Sequence, residues 1–504
     1  MKNLFFNLGA SFVTFFITAL ISFWMTPFII TNIGTEAYGF IPLTQNIISI
    51  LTILTLSLSS VIARFITIEI TKDNIRGAQE YFNTYLIASF FGSIFIMLIV
   101  VTLIINLEKL INIPTNFIIE VKLAVFLSGI MIILSLFKSL FFSAAFSQNR
   151  IYLNKSIDVL NAVIKGLMTY LLLVIFTPKI WYVNLSAMVS TLITLVLSIY
   201  IFKKLMPIIK IKLEQFSFTR LKELLNAGMW IAVGQIGVVL FLAVEILIAN
   251  ITLGPLEAGI YAAMIQFPLL LRNIANSISV VFAPVIINRY ANNNQKGLLN
   301  YSNKSVKING LLIVLPATIL CGFAEPILNL WLGKEFLDYK WILIISSSYL
   351  IFTLSPLPLV HVFTAVNKLK IPGITTIIFG LINFSIAYSL SAFTSLGLYG
   401  IVIGGAVGLI LKNTIFTPIY CSRITNQSYL VYFKGMIEPI VGGVFIIFIC
   451  IILQKLVNIN NWIILILMII TISITYIIFV FVLLLSKNEK NIIITTCKRF
   501  LKIK

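Results

Sequence analysis

The fold class this sequence predicts is an all-α integral membrane protein with about fourteen transmembrane helices, and three observations carry it. The 504 residues are 60% hydrophobic and only 10% charged, where soluble domains run to roughly half apolar and about a quarter charged. The charges leave long gaps: 33 uncharged residues separate Lys2 from Glu36, and 27 separate Glu36 from Arg64. The basic residues between gaps are alternately dense and sparse along the chain, as positive-inside topology requires. A hydrocarbon core of about 30 Å takes about 20 apolar residues of helix. Backbone in lipid must satisfy its own hydrogen bonds, so runs of this length are helices; barrel strands are shorter and alternate.

Spans are predicted at 6–33, 38–65, 81–107, 117–147, 152–177, 180–202 and 222–252 in the first part of the chain. The rest fall at 256–288, 306–324, 341–366, 371–393, 397–420, 431–454 and 460–486. With the N-terminus inside, 26 Lys and Arg fall on the inner side, six in outer loops and four within spans. A span missed or invented mid-chain would erase that imbalance, so the charges support the count and place both termini in the cytoplasm of a cell-membrane protein. The resulting organisation is an N-lobe of six spans (1–202), a basic inter-lobe loop (203–221), a C-lobe of six spans (222–420), two further spans (431–486) and a basic tail (487–504). The loop, with Lys203, Lys204, Lys210, Lys212, Arg220 and Lys222 in or beside it, is expected to be the hinge between halves. It carries either an amphipathic helix on the inner leaflet or simply the charges that fix topology.

Several function classes are excluded. The net charge of +20 belongs to inner loops facing anionic lipid, not to a nucleic-acid surface. Cys321, Cys421, Cys450 and Cys497 form no CxxC pair and read as apolar fillers. The first apolar stretch is too long for a cleavable signal and continues as a span. No GxxxxGK[ST], HExxH or GxSxG motif occurs, so no enzyme activity and no cofactor is expected. Membrane lipids are the obvious partners.

The chain also repeats itself. Asn7-Leu8-Gly9-Ala10 opens the first span and Asn226-Ala227-Gly228-Met229 the seventh. The first closes at Ile33-Gly34 before Glu36-Ala37-Tyr38-Gly39, and the seventh at Leu253-Gly254 before Glu257-Ala258-Gly259-Ile260-Tyr261. Gln45 and Gln266 share the 221-residue offset of the two glutamates. Six intervening spans make this a parallel repeat, an architecture typical of transporters, with the substrate path between halves.

Polar residues within spans line up on single helical faces. Asn7, Ser11, Thr14, Thr18 and Ser22 form one stripe; Gln45, Ser49 and Thr52 another; Asn154, Asp158, Asn161 and Lys165 a third; Arg272, Asn276 and Ser279 a fourth. Such stripes avoid lipid, either lining a wet cavity or bonding neighbouring helices. Arg272 lies roughly 27 Å from the outer helix end, Lys165 about 20 Å from the inner end and Lys138 about 24 Å from the outer end. Against these deep cations stand Asp158 and Glu245, which are the candidates for ion coupling. Arg64 and Arg289 lie near inner helix ends. Cations within a cavity invite an anion, and Arg fits phosphate through its fork. The competing reading is internal pairing, with Asp158 taken by Lys165 or Lys138. His361, the single histidine, reads as a packed polar group.

The run Thr26-Pro27-Phe28-Ile29-Ile30, then Ile33 to Gly39, resembles the end of the first helix in bacterial polysaccharide flippases, relatives of multidrug extruders and lipid II flippases. Ser59-Ser60…Ala63-Arg64-Phe65, the span count and the repeated Glu-Ala motif extend the resemblance over nearly the whole chain. It implies alternating access between two lobes, with an undecaprenyl-diphosphate-linked oligosaccharide as cargo and other glycan-assembly proteins as partners. It implies a substrate-binding set of Arg272, Lys165, Lys138, Asn276, Gln266, Gln45, Arg64 and Arg289. The lipid II branch carries arginines in its first span, and this chain has none there; a wall, teichoic-acid or capsule precursor therefore fits better. Two other classes stay open: a cation-coupled drug antiporter of the same fold, which would want a net acidic cavity, and a membrane-embedded glycan polymerase, which would want a large outer loop.

Overall fold

The computed structural model describes residues 2–487 and 489–491. Thirteen of its helices are long and apolar enough to cross a membrane, or up to 14 when Thr35–Ile53 and Thr55–Thr71, bent by 54°, count as one span. The first repeat comprises α1 (Lys2–Ile33), α2 (Thr35–Ser59), α3 (Ile62–Thr71), α4 (Ile75–Leu110), α5 (Ile118–Phe141), α6 (Ser143–Ser147), α7 (Ile151–Ile175) and α8 (Trp181–Leu205). The second begins with α9 (Phe218–Leu242), α10 (Val244–Thr252), α11 (Pro255–Met264), α12 (Gln266–Ala291) and α13 (Gln295–Gly322). It continues through α14 (Ala324–Trp331), α15 (Lys340–Leu354), α16 (Val360–Ala365), α17 (Lys370–Phe393), α18 (Leu398–Leu409) and α19 (Thr417–Ile424). A π-helical stretch, Ile410–Phe416, separates the last two. α20 (Lys434–Leu456) and α21 (Trp462–Phe479) follow.

The repeat is written in the backbone as well as in the residues. Gly34 and Gly254 turn the corners after the first span of each repeat with φ of 86° and 119°, a region that favours glycine. At the next corners, before α4 and α13, Asp73 and Asn293 both adopt positive φ, 56° and 53°. The next residue then caps the following helix in each copy. Asn74 accepts from the Gly77 N–H at 3.0 Å, and Asn294 from the Gly297 N–H at 2.8 Å. Asn149 and Asn367, two helical corners further on, also adopt positive φ, 53° and 56°.

Packing divides the chain into two compact units, residues 1–263 with 373–404, and residues 264–372 with 405–504. These units are drawn differently from the lobes expected from sequence, because α9, α10 and α17 belong to the first. α9 lies along α2, close enough that a Cβ at Gly228 would strike the Ser57 carbonyl. At its inner end the first unit is cored by Phe82, Tyr85, Phe141, Phe202 and Leu224.

The basic loop is fastened to the first unit. Asn83 receives the Lys212 N–H at 2.8 Å and donates to the Lys210 carbonyl at 3.3 Å, while Ser217 N–H reaches Thr84 at 3.0 Å. Only a 3-10 turn, Leu213–Gln215, interrupts its irregular course, so the amphipathic helix is not there. Met206 and Ile209 insert into the core of the first unit, while Lys210, Ile211 and Lys212 are exposed.

In the second unit Phe282, Ile286, Leu359, Phe363, Tyr420 and Tyr432 form a core. Lys307 of α13 joins the two extra spans to it. Its ammonium lies 3.3 Å from Glu438 of α20 and 3.2 Å from Glu489, and it donates to the Leu484 carbonyl at 2.8 Å. A buried ammonium held by two carboxylates and a carbonyl is a well-satisfied anchor. Most of the basic tail, with Cys497, lies outside the described residues.

Candidate substrate site

The polar stripes divide once their partners are known. On α7, Asn154 donates to the Phe142 carbonyl at 3.0 Å, and Asn161 donates to Thr194 at 3.1 Å while accepting from Ser190 at 3.3 Å. Asp158 is bridged by two lysines, Lys138 at 3.3 Å and Lys155 at 3.7 Å. Lys138 also sits 4.9 Å from the Phe142 ring centre. These contacts tie α7 to its neighbours and fill the roles of three of the four stripe residues. Lys165 is the fourth. It is half-buried, and among the described residues it has neither a hydrogen bond nor an ion pair. Of the two internal pairings considered from sequence, Asp158 with Lys165 does not form; Asp158 takes Lys138, which reaches it from α5.

The hydroxyl stripes are largely spent locally. Ser11, Thr14 and Thr18 donate to carbonyls one turn back in α1, and Ser49 and Thr52 do the same in α2. Asn7 bridges to α7, bonding Asn149 at 3.1 Å and the Tyr152 N–H at 2.8 Å. Gln45 is half-buried on α2, and Arg64 is exposed on α3. Glu245, buried on α10, accepts from the Tyr261 hydroxyl at 2.6 Å.

In the second unit Arg272 projects from α12 towards α15, where its Nη2 donates to the Tyr349 hydroxyl at 2.8 Å. Its guanidinium carbon lies 5.9 Å from that ring's centre. Lys412 of the π-helical stretch stands close enough for the two positive charges to act on each other. The sequence tally placed Lys412 on the inner side, although its number falls within the span expected at 397–420. It lies midway along the span Leu398–Ile424. A lysine at such depth is itself the signal that could have found it. π-helical insertions recur at functional sites, because the extra residue re-aims side chains.

Asn276, one turn beyond Arg272, is exposed, and Gln266 is half-buried. Arg289 is engaged at the inner end of α12, donating to the Gly297 carbonyl at 2.6 Å and lying 4.8 Å from the Tyr301 ring centre. His361 contacts Ser279 at 3.2 Å, as a packed polar group would. The structure thus joins Lys138 to Asp158 and adds Lys412 to Arg272. It leaves Lys165 uncommitted and gives Arg289 a local structural partner.

The comparisons follow from this architecture. Residues 4–289 match the family model described as polysaccharide biosynthesis protein. A curated relative from Bacillus subtilis (strain 168), the uncharacterized membrane protein EpsK, is 40% identical over 498 residues, 99% of this chain and 98% of that protein. Among solved structures, lipid II flippase MurJ in an inward closed conformation is similar at TM-score 0.68 and 15% identity, covering 93% of this chain and 98% of that one. An inward-facing multidrug resistance MATE family transporter of the MOP superfamily is similar at TM-score 0.66 and 17% identity, covering 82% and 96%. At those identities the structural likeness establishes the fold. By the family model and by the relative that matches it end to end, this chain belongs to the polysaccharide biosynthesis protein family.

Proposed function

We propose that this protein carries an undecaprenyl-diphosphate-linked oligosaccharide, a cell-wall, teichoic-acid or capsule precursor, from the inner to the outer leaflet by alternating access. The observation that carries the reading is the conjunction of Arg272 and Lys412 deep in one unit. A diphosphate diester bears two negative charges, and an arginine with a lysine supplies two positive ones. Arg272 contributes a fork for two oxygens and Lys412 a compact point charge. Moving the headgroup through low dielectric without such compensation is prohibitive. Tyr349 positions the guanidinium, and Lys165 supplies a further cation in the other unit. Lys138 is withdrawn from this role by Asp158. Family membership supports a polysaccharide precursor as cargo, and the lack of arginine in the first span favours one other than lipid II.

The antiporter reading retains Glu245 as its acid, but Asp158 is already paired with two lysines. The test is depletion of the protein in its host, followed by leaflet-resolved analysis of lipid-linked glycans. Accumulation of one such glycan on the inner leaflet is expected; an unchanged leaflet distribution would reject the proposal.

A further inference from the structure

A cleft of about 510 Å³ opens at the end of the second unit where α13 meets α14 and α20 leads into α21. Neither the deep cations nor the transport reading uses it. Its walls present four carboxamides, from Asn329, Gln454, Asn458 and Asn460, beside the Glu325 carboxylate and the apolar Leu337. Gln454 donates to the Gly322 carbonyl, which fixes its side chain across the cleft floor. Among the described residues, the side chains of Asn329, Asn458 and Asn460 make no hydrogen bond within the protein. Glu325 is ion-paired with Lys340 at 2.7 Å.

We propose that this cleft is a binding site for neutral sugar residues of a glycan. Each carboxamide offers one acceptor and two donors, a set that matches the hydroxyl edges and acetamido groups of sugars. The paired Glu325 neither recruits a free cation nor leaves a bare charge facing the ligand, so the cleft selects against phosphate. Leu337 gives the apolar face of a sugar ring a surface to cover. Clefts of about 300–1,000 Å³ with a few convergent polar groups on apolar walls hold small ligands. The site also gives the two spans beyond the repeat a task, because the connector after α20 supplies two of the four carboxamides. Its place in transport rests on the function proposed above: on the outer side it would receive the glycan end of the cargo as the diphosphate leaves the deep cations.

Binding can be measured without transport. Saturation-transfer NMR on the full-length protein in detergent would use neutral trisaccharides of hexose and of N-acetylhexosamine as probes. At least one is expected to receive saturation from the wild-type protein. Asn329→Leu and Asn458→Leu should each weaken that binding roughly tenfold, by removing hydrogen bonds to the sugar. Arg272→Ala, which disables the proposed diphosphate site, should leave it unchanged. Both asparagines lie at the cleft surface, and coincident thermal unfolding of variants and wild type would verify folding. If no trisaccharide is saturated, or if the leucine variants bind as the wild type does, the proposal is overturned. Normal transport by Arg272→Ala would instead count against the deep-site reading and leave this one intact.

Discussion

Asn112 and Asn250 hold each other through three hydrogen bonds. Asn112 N–H donates to the Asn250 side-chain oxygen at 2.8 Å, and its Nδ2 donates to the Asn250 carbonyl at 2.9 Å. The Asn250 Nδ2 returns a bond to the Asn112 carbonyl at 3.1 Å. This pair fastens the connector after α4 to the outer end of α10. Close by in sequence, the corners of the two repeats meet: a Cβ on Gly39 would stand 2.6 Å from the Gly259 nitrogen, so only glycine allows the approach.

Asn250→Ala leaves the Asn112 N–H and carbonyl without partners and should cost about 1–3 kcal/mol, read by thermal or denaturant unfolding in detergent. If the cycle proposed above opens the outer corners, spin labels at Thr35 and Pro255 should be close in the empty protein. They should separate in part of the population when a diphosphate lipid is added, and in Asn250→Ala without it. Distances unmoved by either would argue for a static scaffold.

The deep cations make a graded prediction. Arg272→Ala should abolish transport at near-normal abundance, and Arg272→Lys should keep part of it, since a point charge replaces a fork. Lys412→Gln should reduce transport comparably to the alanine variant, whereas Tyr349→Phe, which loses one hydrogen bond to the guanidinium, should cost less, on the order of tenfold in rate. A flipping assay in proteoliposomes reads all four. Wild-type rates for both Arg272→Ala and Lys412→Gln would make the cluster structural.

Asp158 and Lys165 should part company. Lys138→Ala leaves Asp158 with only Lys155, and Asp158→Ala leaves a deep ammonium uncompensated. Each should lower abundance and stability by about 1–3 kcal/mol, towards the low end because Asp158 is partly exposed. Lys165→Ala removes no partner and should leave abundance intact, so any loss of transport reports on the cation itself. Equal abundance losses in all three variants would contradict this assignment.

Topology is checked by labelling. Single cysteines replacing Asn116, Leu256 or Ser395 should react with an impermeant thiol reagent in intact cells. Those replacing Asn74, Arg150, Lys210 or Gln295 should not. Labelling of the second set would overturn the span count and the inside termini.

At the inner end, the Tyr81 hydroxyl donates to Glu223, and Arg220 lies 3.3 Å from the same carboxylate. The Tyr81 bond, helped by Arg220, holds the Glu223 carboxyl below its usual range against the opposing effect of burial. A depressed carboxyl stabilises the folded state above its unfolded pKa of about 4.3, and that contribution fades as pH falls further. Hydrogen exchange of the first turn of α9 should therefore rise on going from pH 7 to below about pH 4. Tyr81→Phe should raise exchange at pH 7 and flatten that rise; an identical pH response in both proteins would remove Glu223 as the cause.

Membrane class, helix count and the repeat were legible because each depends on local properties: apolar length, loop charge, and corner residues such as Gly34 and Gly254. Arg272 was legible for the same reason, since depth within a span is counted along the chain. What the chain alone could not decide is which polar groups are already spent. Lys138, Lys165 and Asp158 are equal candidates in sequence, and only the tertiary structure, where α5 and α7 both pack on α8, gives Asp158 to Lys138 and leaves Lys165 over. Lys412 comes under the influence of Arg272 from a π-helical stretch packed against α15, and no periodicity rule reports that. The loop from 203 to 221 read as a hinge, yet Asn83 and Thr84 fasten its backbone to α4. Apolar burial in a bilayer is set residue by residue, whereas pairing is set by which helices become neighbours, and that is a property of the tertiary structure.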